Sequence, residues 1–367
     1  MTARLFTPIM LGQLQLANRM VIAPMCQYEA ADGLAGDWHL LHLGRMASSG
    51  AGLMVMEATG VLPDGRITDR CLGLYNDEQQ EALRRILTIM ARQTDMHFGI
   101  QLNHAGRKAG TYAGWEGRGY LPDGRGWPLV APSALPFSHR APTPIALSQE
   151  QIEDIIAAFA ASASRAVHAG FRLIELHAAH GYLMSQFLSN LANRRTDNYG
   201  GSLENRMRFP LEVLRAVRAE VPQHIAVTLR INGTDWADGG ITPEEAAIFA
   251  RACQAEGADA IHVSSGGNAL VPVPSGPGYQ LPFAHLVKDA VSIPVIGVGM
   301  IRDGRAAEDA LERGDADLVA IGRSVLNNPH WLWRAAEELG EAIAVPRAYA
   351  RAATREGIPA AREQRIA

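Results

Sequence analysis

Three ring-bearing residues within six positions, His177, His180 and Tyr182, are the first candidates for chemistry in this chain. They lie in Glu175-Leu-His-Ala-Ala-His-Gly-Tyr-Leu183, directly after Phe171–Glu175, an apolar run that reads as a buried strand. Two neutral imidazoles can donate hydrogen bonds to an oxygen that gains negative charge, and a phenol can then supply a proton. An HxxH pair by itself is equally at home in a polar loop, satisfied by backbone. A zinc reading would need a third ligand and an open water position, and no metal is expected here. The surrounding elements decide between these readings.

Those elements alternate between strand and helix. Leu11–Asn18 alternates apolar and polar residues, as a small hairpin closing a barrel floor would. Buried strands are expected at Arg19–Cys26, Leu53–Ala58, His97–Leu102, Phe171–Glu175, Ile225–Ile231, Asp259–Ser264, Pro294–Val298 and Ala316–Ile321. Helices are expected at 40–49, from a cap at Asp77-Glu78 to about Thr94, from Ser148 to about Ala169, at Pro210–Glu220, and from Thr242-Pro243 onward. Eight strands with intervening helices predict one (β/α)8 barrel, an α/β TIM barrel spanning 1–345, with a tail at 346–367. The Gly-, Pro- and Trp-rich stretch from Asn103 to Leu147, after the third strand, is expected to be a lid over the active face.

Composition narrows the function. The 367 residues carry a formal charge of −4, which gives no basic excess for nucleic acid. Only Lys108 and Lys288 are lysines, so lysine chemistry has few candidates. Cys26, Cys71 and Cys253 are odd in number and widely spaced, which argues against disulfide frameworks, zinc ribbons and iron–sulfur clusters. No signal peptide and no membrane-length apolar run is visible, so no membrane partner and a cytoplasmic location are the expectation.

In a β/α barrel the catalytic groups come from strand C-termini. Here those ends offer Cys26 and Tyr28, Ala58 and Thr59, Gln101, the histidine pair, Arg230, Ser264-Ser-Gly-Gly267, Gly297-Val-Gly299 and Gly322-Arg323. Gly299, Gly322 and Arg323 follow the last two strands, where backbone N–H groups and an arginine commonly hold a phosphate. Arg230, buried at the mouth, needs a negative partner. No carboxylate is an obvious choice from the sequence, and an anionic ring such as a reduced flavin would serve.

These residues resemble the old yellow enzyme family of FMN-dependent ene-reductases, and within it the thermophilic-like, YqjM-like subclass. The resemblance runs from Arg4 to about Trp333. It rests on Ala23-Pro-Met-Cys26, Gln101-Leu-Asn-His-Ala-Gly-Arg-Lys108, Glu175–Tyr182, Arg194–Arg206 and the Gly299 to Arg323 segment. It implies that Pro24, Met25, Cys26, Ala58, Gln101 and Arg230 line the flavin ring and that Gly299, Gly322 and Arg323 hold the FMN phosphate. It also implies that Tyr28, His177 and His180 bind substrate, that Tyr182 donates the proton, and that NADPH or NADH is the reductant. The substrate would be a small-molecule activated alkene. The assembly would be a homodimer or homotetramer in which Arg351 of the tail reaches a neighbouring active site.

Three rivals remain at this level. A larger dienoyl-CoA reductase type would need an iron–sulfur cysteine cluster and further domains. A phosphate-binding lyase or aldolase would need a lysine within a strand. A non-enzymatic FMN-binding protein would bind flavin without turning over an alkene.

Overall fold

The computed structural model describes residues 2–122 and 124–351. Eight parallel strands close into a barrel: β1 (Met20–Ile22), β2 (Leu53–Gly60), β3 (His97–Asn103), β4 (Leu173–Ala178), β5 (Ala226–Asn232), β6 (Ala260–Ser264), β7 (Val295–Gly297) and β8 (Leu318–Ile321). Neighbours in sequence are neighbours in space, and β8 closes on β1 through Val319↔Met20 and Ile321↔Ile22. The expected TIM barrel is what forms.

The floor closes as its alternation suggests. Ile9–Leu11 and Leu14–Leu16 pair antiparallel. Leu11, Leu14 and Leu16 are buried with Val21, Leu53, Leu173, Ala226, Ala260 and Leu318, at the N-terminal ends of the strands. A second, larger apolar cluster joins the outward faces of the strands to the helices and includes Ile174, Leu176, Phe159 and Phe209.

Between these layers the barrel interior turns polar in steps, because side chains alternate along a strand. The inward residues of β4 run Leu173, Glu175, His177; those of β5 run Ala226, Thr228, Arg230; those of β6 run Ala260, His262, Ser264. The registers Glu175↔Thr228 and His177↔Arg230 set β4 level with β5, whereas Ala260↔Thr228 and His262↔Arg230 shift β6 by one inward residue, so His262 stands level with Arg230.

Several boundaries move from their expected places. The first ladder stops at Ile22, since Pro24 has no N–H to donate; Ala23 still donates to Ile321 O at 3.0 Å. The second helix is Asp77–Met90, capped by Asn76, whose side chain accepts from Gln79 N–H; Asp77 and Glu78 occupy its first turn. The fifth helix begins at Leu203, not Pro210, because Ser202 caps it and Pro210 is accommodated within. The caps at Ser148 and Thr242 are reciprocal boxes with Gln151 and Glu245. A short helix, α1 (Leu183–Leu188), directly follows the histidine turn.

The lid carries little regular structure: a 3-10 turn at Gly106–Lys108 and two paired two-residue strands, Val130–Ala131 and Ile145–Ala146. Backbone bonds from Ala105 N–H to Gly65 O and from Thr111 N–H to Ile67 O tie it to the loop after β2, and side chains add to that hold. Arg125 bridges Asp69 and Glu116, Arg70 also pairs with Glu116, and Trp127 Nε1 donates to Asp64 O. Val345 ends the buried barrel, Tyr349 and Arg351 are exposed, and the tail beyond Arg351 lies outside the described residues.

Candidate active site

At the C-terminal mouth of the barrel a cavity of about 520 Å³ is lined by Pro24, Met25, His180, Arg230, Gly299, Gly322 and Arg323, together with Ala23, Ser264, Tyr279, Gln280, Arg302 and Ser324. A larger cleft, about 830 Å³, opens at the opposite end around Asn18, Gly50–Gly52 and Arg172. It lies on the face of a barrel that builds stability, away from the convergent strand ends.

His177 sits at the end of β4, and the chain then turns sharply. His180 has a positive φ of 59° and Gly181 a φ of 71°. A Cβ on Gly181 would stand 2.0 Å from Gly267 O, and one on Gly267 would stand 2.3 Å from His180 O. The two glycines therefore let the loops after β4 and β6 touch, which brings His180 Nε2 within 2.7 Å of Ser264 Oγ. Asn232 Oδ1 accepts from His180 N–H at 3.0 Å, tying the turn to the end of β5 as well. The His177 and His180 rings meet edge to face at 5.0 Å, and Tyr182 packs on His177 at 4.9 Å.

Burial, reinforced by the positive charge of Arg230, holds both imidazoles well below their ordinary values. Both are neutral at pH 7, and each then has one N–H to give. Burial also raises the phenols of Tyr182 and Tyr28 and the thiol of Cys26. Cys26 is therefore a thiol, not a thiolate nucleophile.

Cys26, Ala58, Tyr28 and Tyr182 are not among the residues lining this cavity; they share an apolar cluster with Ile67, Cys71, Ala105, Ala109 and Leu129. Gln101 lies deeper. Its partner across the ladder is Ala58, brought opposite by a bulge that leaves Glu57 unpaired between Met56 and Ala58. Arg351 is exposed in the last described turn.

The negative charge acting on Arg230 is that of Glu175, inside the barrel, which reaches it through space and without an ion pair. Burial pushes its carboxyl up, yet His262, Arg230 and Gln101 together hold it below its ordinary value. Glu175 Oε1 accepts from Gln101 Nε2 at 2.8 Å and Oε2 from His262 Nδ1 at 2.8 Å. A stated period of two along Leu173-Ile-Glu175-Leu-His177 would have put Glu175 on the same face as His177. Its partners on β3 and β6 are tertiary facts. Lys108, outside any strand, nonetheless reaches the site: its Nζ donates to His180 O and Gly267 O and lies 5.1 Å from the Tyr182 ring. Burial brings its amine down to about 8.

The mouth fits FMN. Arg230 Nε is buried without a hydrogen-bond partner among the described residues, a donor set for an acceptor in the cavity. At the other end Gly299 takes a φ of 135°, which L side chains rarely adopt, and a Cβ on Gly322 would fill space toward Met25 Sδ at 3.5 Å. Arg302 and Arg323 bring positive charge there.

A parallel barrel with neutral donors, a phenol and a basic phosphate end at its C-terminal mouth is a flavin-dependent oxidoreductase in class. The chain belongs to the NADH:flavin oxidoreductase / NADH oxidase family, the old yellow enzyme family, which it matches over residues 4–341. FMN is its cofactor and a reduced nicotinamide its reductant. It is 42% identical over 357 residues to an NADPH dehydrogenase of Listeria innocua serovar 6a, covering 95% of this chain and 99% of that protein. It is also 42% identical to an NADH:flavin oxidoreductase of Gibberella zeae, over 92% of this chain and 86% of that one. Among solved structures, morphinone reductase superposes with a TM-score of 0.75 at 29% identity, covering 92% of this chain and 90% of that one. A 2-naphthoyl-CoA reductase gives a TM-score of 0.82 at 26% identity, and this chain spans 52% of its length.

Proposed function

We propose that the protein reduces the C=C bond of α,β-unsaturated carbonyl compounds at the expense of NADPH or NADH, as an ene-reductase of the YqjM-like subclass. The observation that carries this reading is the meeting of two neutral imidazoles and a phenol, His177, His180 and Tyr182, at one strand end beside the cavity. Bound FMN would supply the hydride-transfer chemistry between the nicotinamide and the alkene. His177 and His180 donate to the substrate carbonyl oxygen and stabilise the charge it gains. Tyr182 gives its proton to the α-carbon, and Tyr28 borders the substrate. Pro24, Met25, Cys26, Ala58, Gln101 and Arg230 serve the ring, with Arg230 offering its unpartnered Nε. Gly299, Gly322 and Arg323 serve the phosphate.

Residues 1–345 form the FMN-binding domain in this reading, and Arg351 enters the active site of a neighbouring subunit in a homodimer or homotetramer. A cytoplasmic enzyme that meets neither nucleic acid nor membrane accords with the charge of −4 and with the absence, among the described residues, of a helix long and apolar enough to cross a membrane.

Two measurements test the reading. The purified protein should release FMN and, under anaerobic conditions, oxidise more than one equivalent of NADPH per flavin only when an alkene such as 2-cyclohexenone is added. His177→Ala and His180→Ala should each weaken a phenolate ligand, followed by its charge-transfer band, by about 1.5–3 kcal/mol. FMN binding without alkene-dependent turnover would favour a flavin-binding protein with no reductase activity.

A further inference from the structure

The two histidines hold their protons by different means. A neutral imidazole is a donor at one nitrogen and an acceptor at the other, and the partner of one nitrogen decides which is which. His177 Nδ1 accepts from Ala179 N–H at 3.3 Å, so its proton is on Nε2. That arrangement is backbone and follows from the turn itself.

At His180 the decision falls to a side chain. His180 Nε2 lies 2.7 Å from Ser264 Oγ. The Ser264 hydroxyl has one proton and two acceptors within reach, His180 Nε2 and, at 3.2 Å, Gln280 Oε1. Gln280 Oε1 already accepts from Ser265 Oγ at 2.7 Å. The shorter contact, to an acceptor not otherwise engaged, is the stronger claim on the proton.

We propose that Ser264 donates to His180 Nε2 and thereby holds His180 as its Nδ1–H tautomer, the form that can donate to a substrate oxygen. Ser264 is a positioning residue for the pair, and the shorter bond from Ser265 makes Gln280 Oε1 a weaker rival for its proton. With the Ser264 proton turned to Gln280 instead, His180 would carry its proton on Nε2 and offer a lone pair at Nδ1. The substrate oxygen would then meet one donor and one repelling acceptor. The inference rests on the carbonyl-binding role proposed above, but the tautomer can be read without any substrate.

The test uses FMN-loaded protein labelled with 15N-histidine, in wild type, Ser264→Ala and Ser264→Thr, with a His180→Asn variant to assign the ring signals. Nitrogen shifts report which ring atom of His180 bears the proton, and titration with 4-hydroxybenzaldehyde reports the donor pair. Wild type should show Nδ1–H. Ser264→Ala should move the proton to Nε2 and weaken the phenol about 10- to 100-fold, the loss of one charge-assisted hydrogen bond. Ser264→Thr, which keeps the hydroxyl, should restore both. Should Ser264→Ala lose FMN, Ser264→Cys keeps the volume with a much weaker donor and should show the same displacement in part. An Nε2–H tautomer in wild type, or one unmoved by removing the hydroxyl, overturns the inference. A displaced proton with unchanged phenol affinity upholds the tautomer and overturns the carbonyl-binding role instead.

Discussion

Tyr182 has an apolar floor and a cationic ceiling: it packs on His177 at 4.9 Å, joins the cluster around Ala58 and Cys71, and has Lys108 Nζ 5.1 Å from its ring. Burial makes its phenol a weaker acid than usual, so it stays protonated at neutral pH, as the proposed proton donor must. Tyr182→Phe should leave flavin reduction by NADPH near normal and slow alkene reduction by roughly 10²–10⁴, as stopped-flow traces of the two half-reactions can separate. Equal slowing of both would make Tyr182 structural. Cys26 poses a different question. Its thiol is held protonated by burial and sits beside Tyr28. Cys26→Thr should shift the flavin potential, measured by dye equilibration, while FMN content stays unchanged. A potential equal to wild type would remove Cys26 from the flavin edge.

One turn, from the end of β4 into α1, carries the residues proposed to do the chemistry, and it is held by contacts to other strands. Gly181 meets Gly267, His180 N–H meets Asn232, and Lys108 spans both loop carbonyls. Gly181→Ala demands a positive φ from alanine and a Cβ within 2.0 Å of Gly267 O. The backbone strain alone costs about 1–3 kcal/mol, and relief of the clash must part the two loops. The variant should melt earlier by calorimetry and lose phenol binding even where FMN is retained. Unaltered phenol affinity would mean that the turn is not what aims the histidines. Beneath the turn, the group formed by Glu175, His262, Gln101 and Arg230 shows why a barrel suits this site. Charges that would be costly singly are arranged by strand register to offset one another.

At the scale of the molecule, stability should fall in mild acid. Burial holds His42, His104, His177 and His262 below their ordinary values, His42 at about 4. Below about pH 6.5 the unfolded chain takes up protons that the folded chain refuses, so stability present above that pH is lost as pH falls, by up to about 1.4 kcal/mol per pH unit for each such group. The urea midpoint should drop between pH 7 and pH 5.5, and a flat midpoint would contradict the buried, neutral state of these rings. Assembly is the second question at this scale. If Arg351 serves a neighbour's site, Arg351→Ala should raise the alkene KM with FMN content intact. A mixture of Arg351→Ala with Tyr182→Phe subunits should then exceed either parent in activity, because one site of each mixed dimer is spared both lesions. No recovery in a mixture shown to exchange subunits would confine the tail to its own chain.

Strand count, the hairpin floor, the helix caps at Ser148 and Thr242 and the placement of His177, His180 and Tyr182 at a strand end were all legible from the chain alone. Each depends on local chemistry: alternation, capping side chains, a proline at a helix start. The family resemblance added the residues at the other strand ends that are proposed to face the flavin. What stayed hidden was relational. Glu175 is one acid in an apolar run until the β3 and β6 registers bring Gln101 and His262 to its two oxygens. Lys108 looked remote from any strand interior, yet its flexible stem reaches the mouth. The proton of His180 depends on Ser264, 84 residues away in sequence. Local pattern determines which elements form and which way their faces point. Only barrel closure decides which side chains meet across the mouth, because hydrogen-bond partners and burial are set by strands that are distant in the chain.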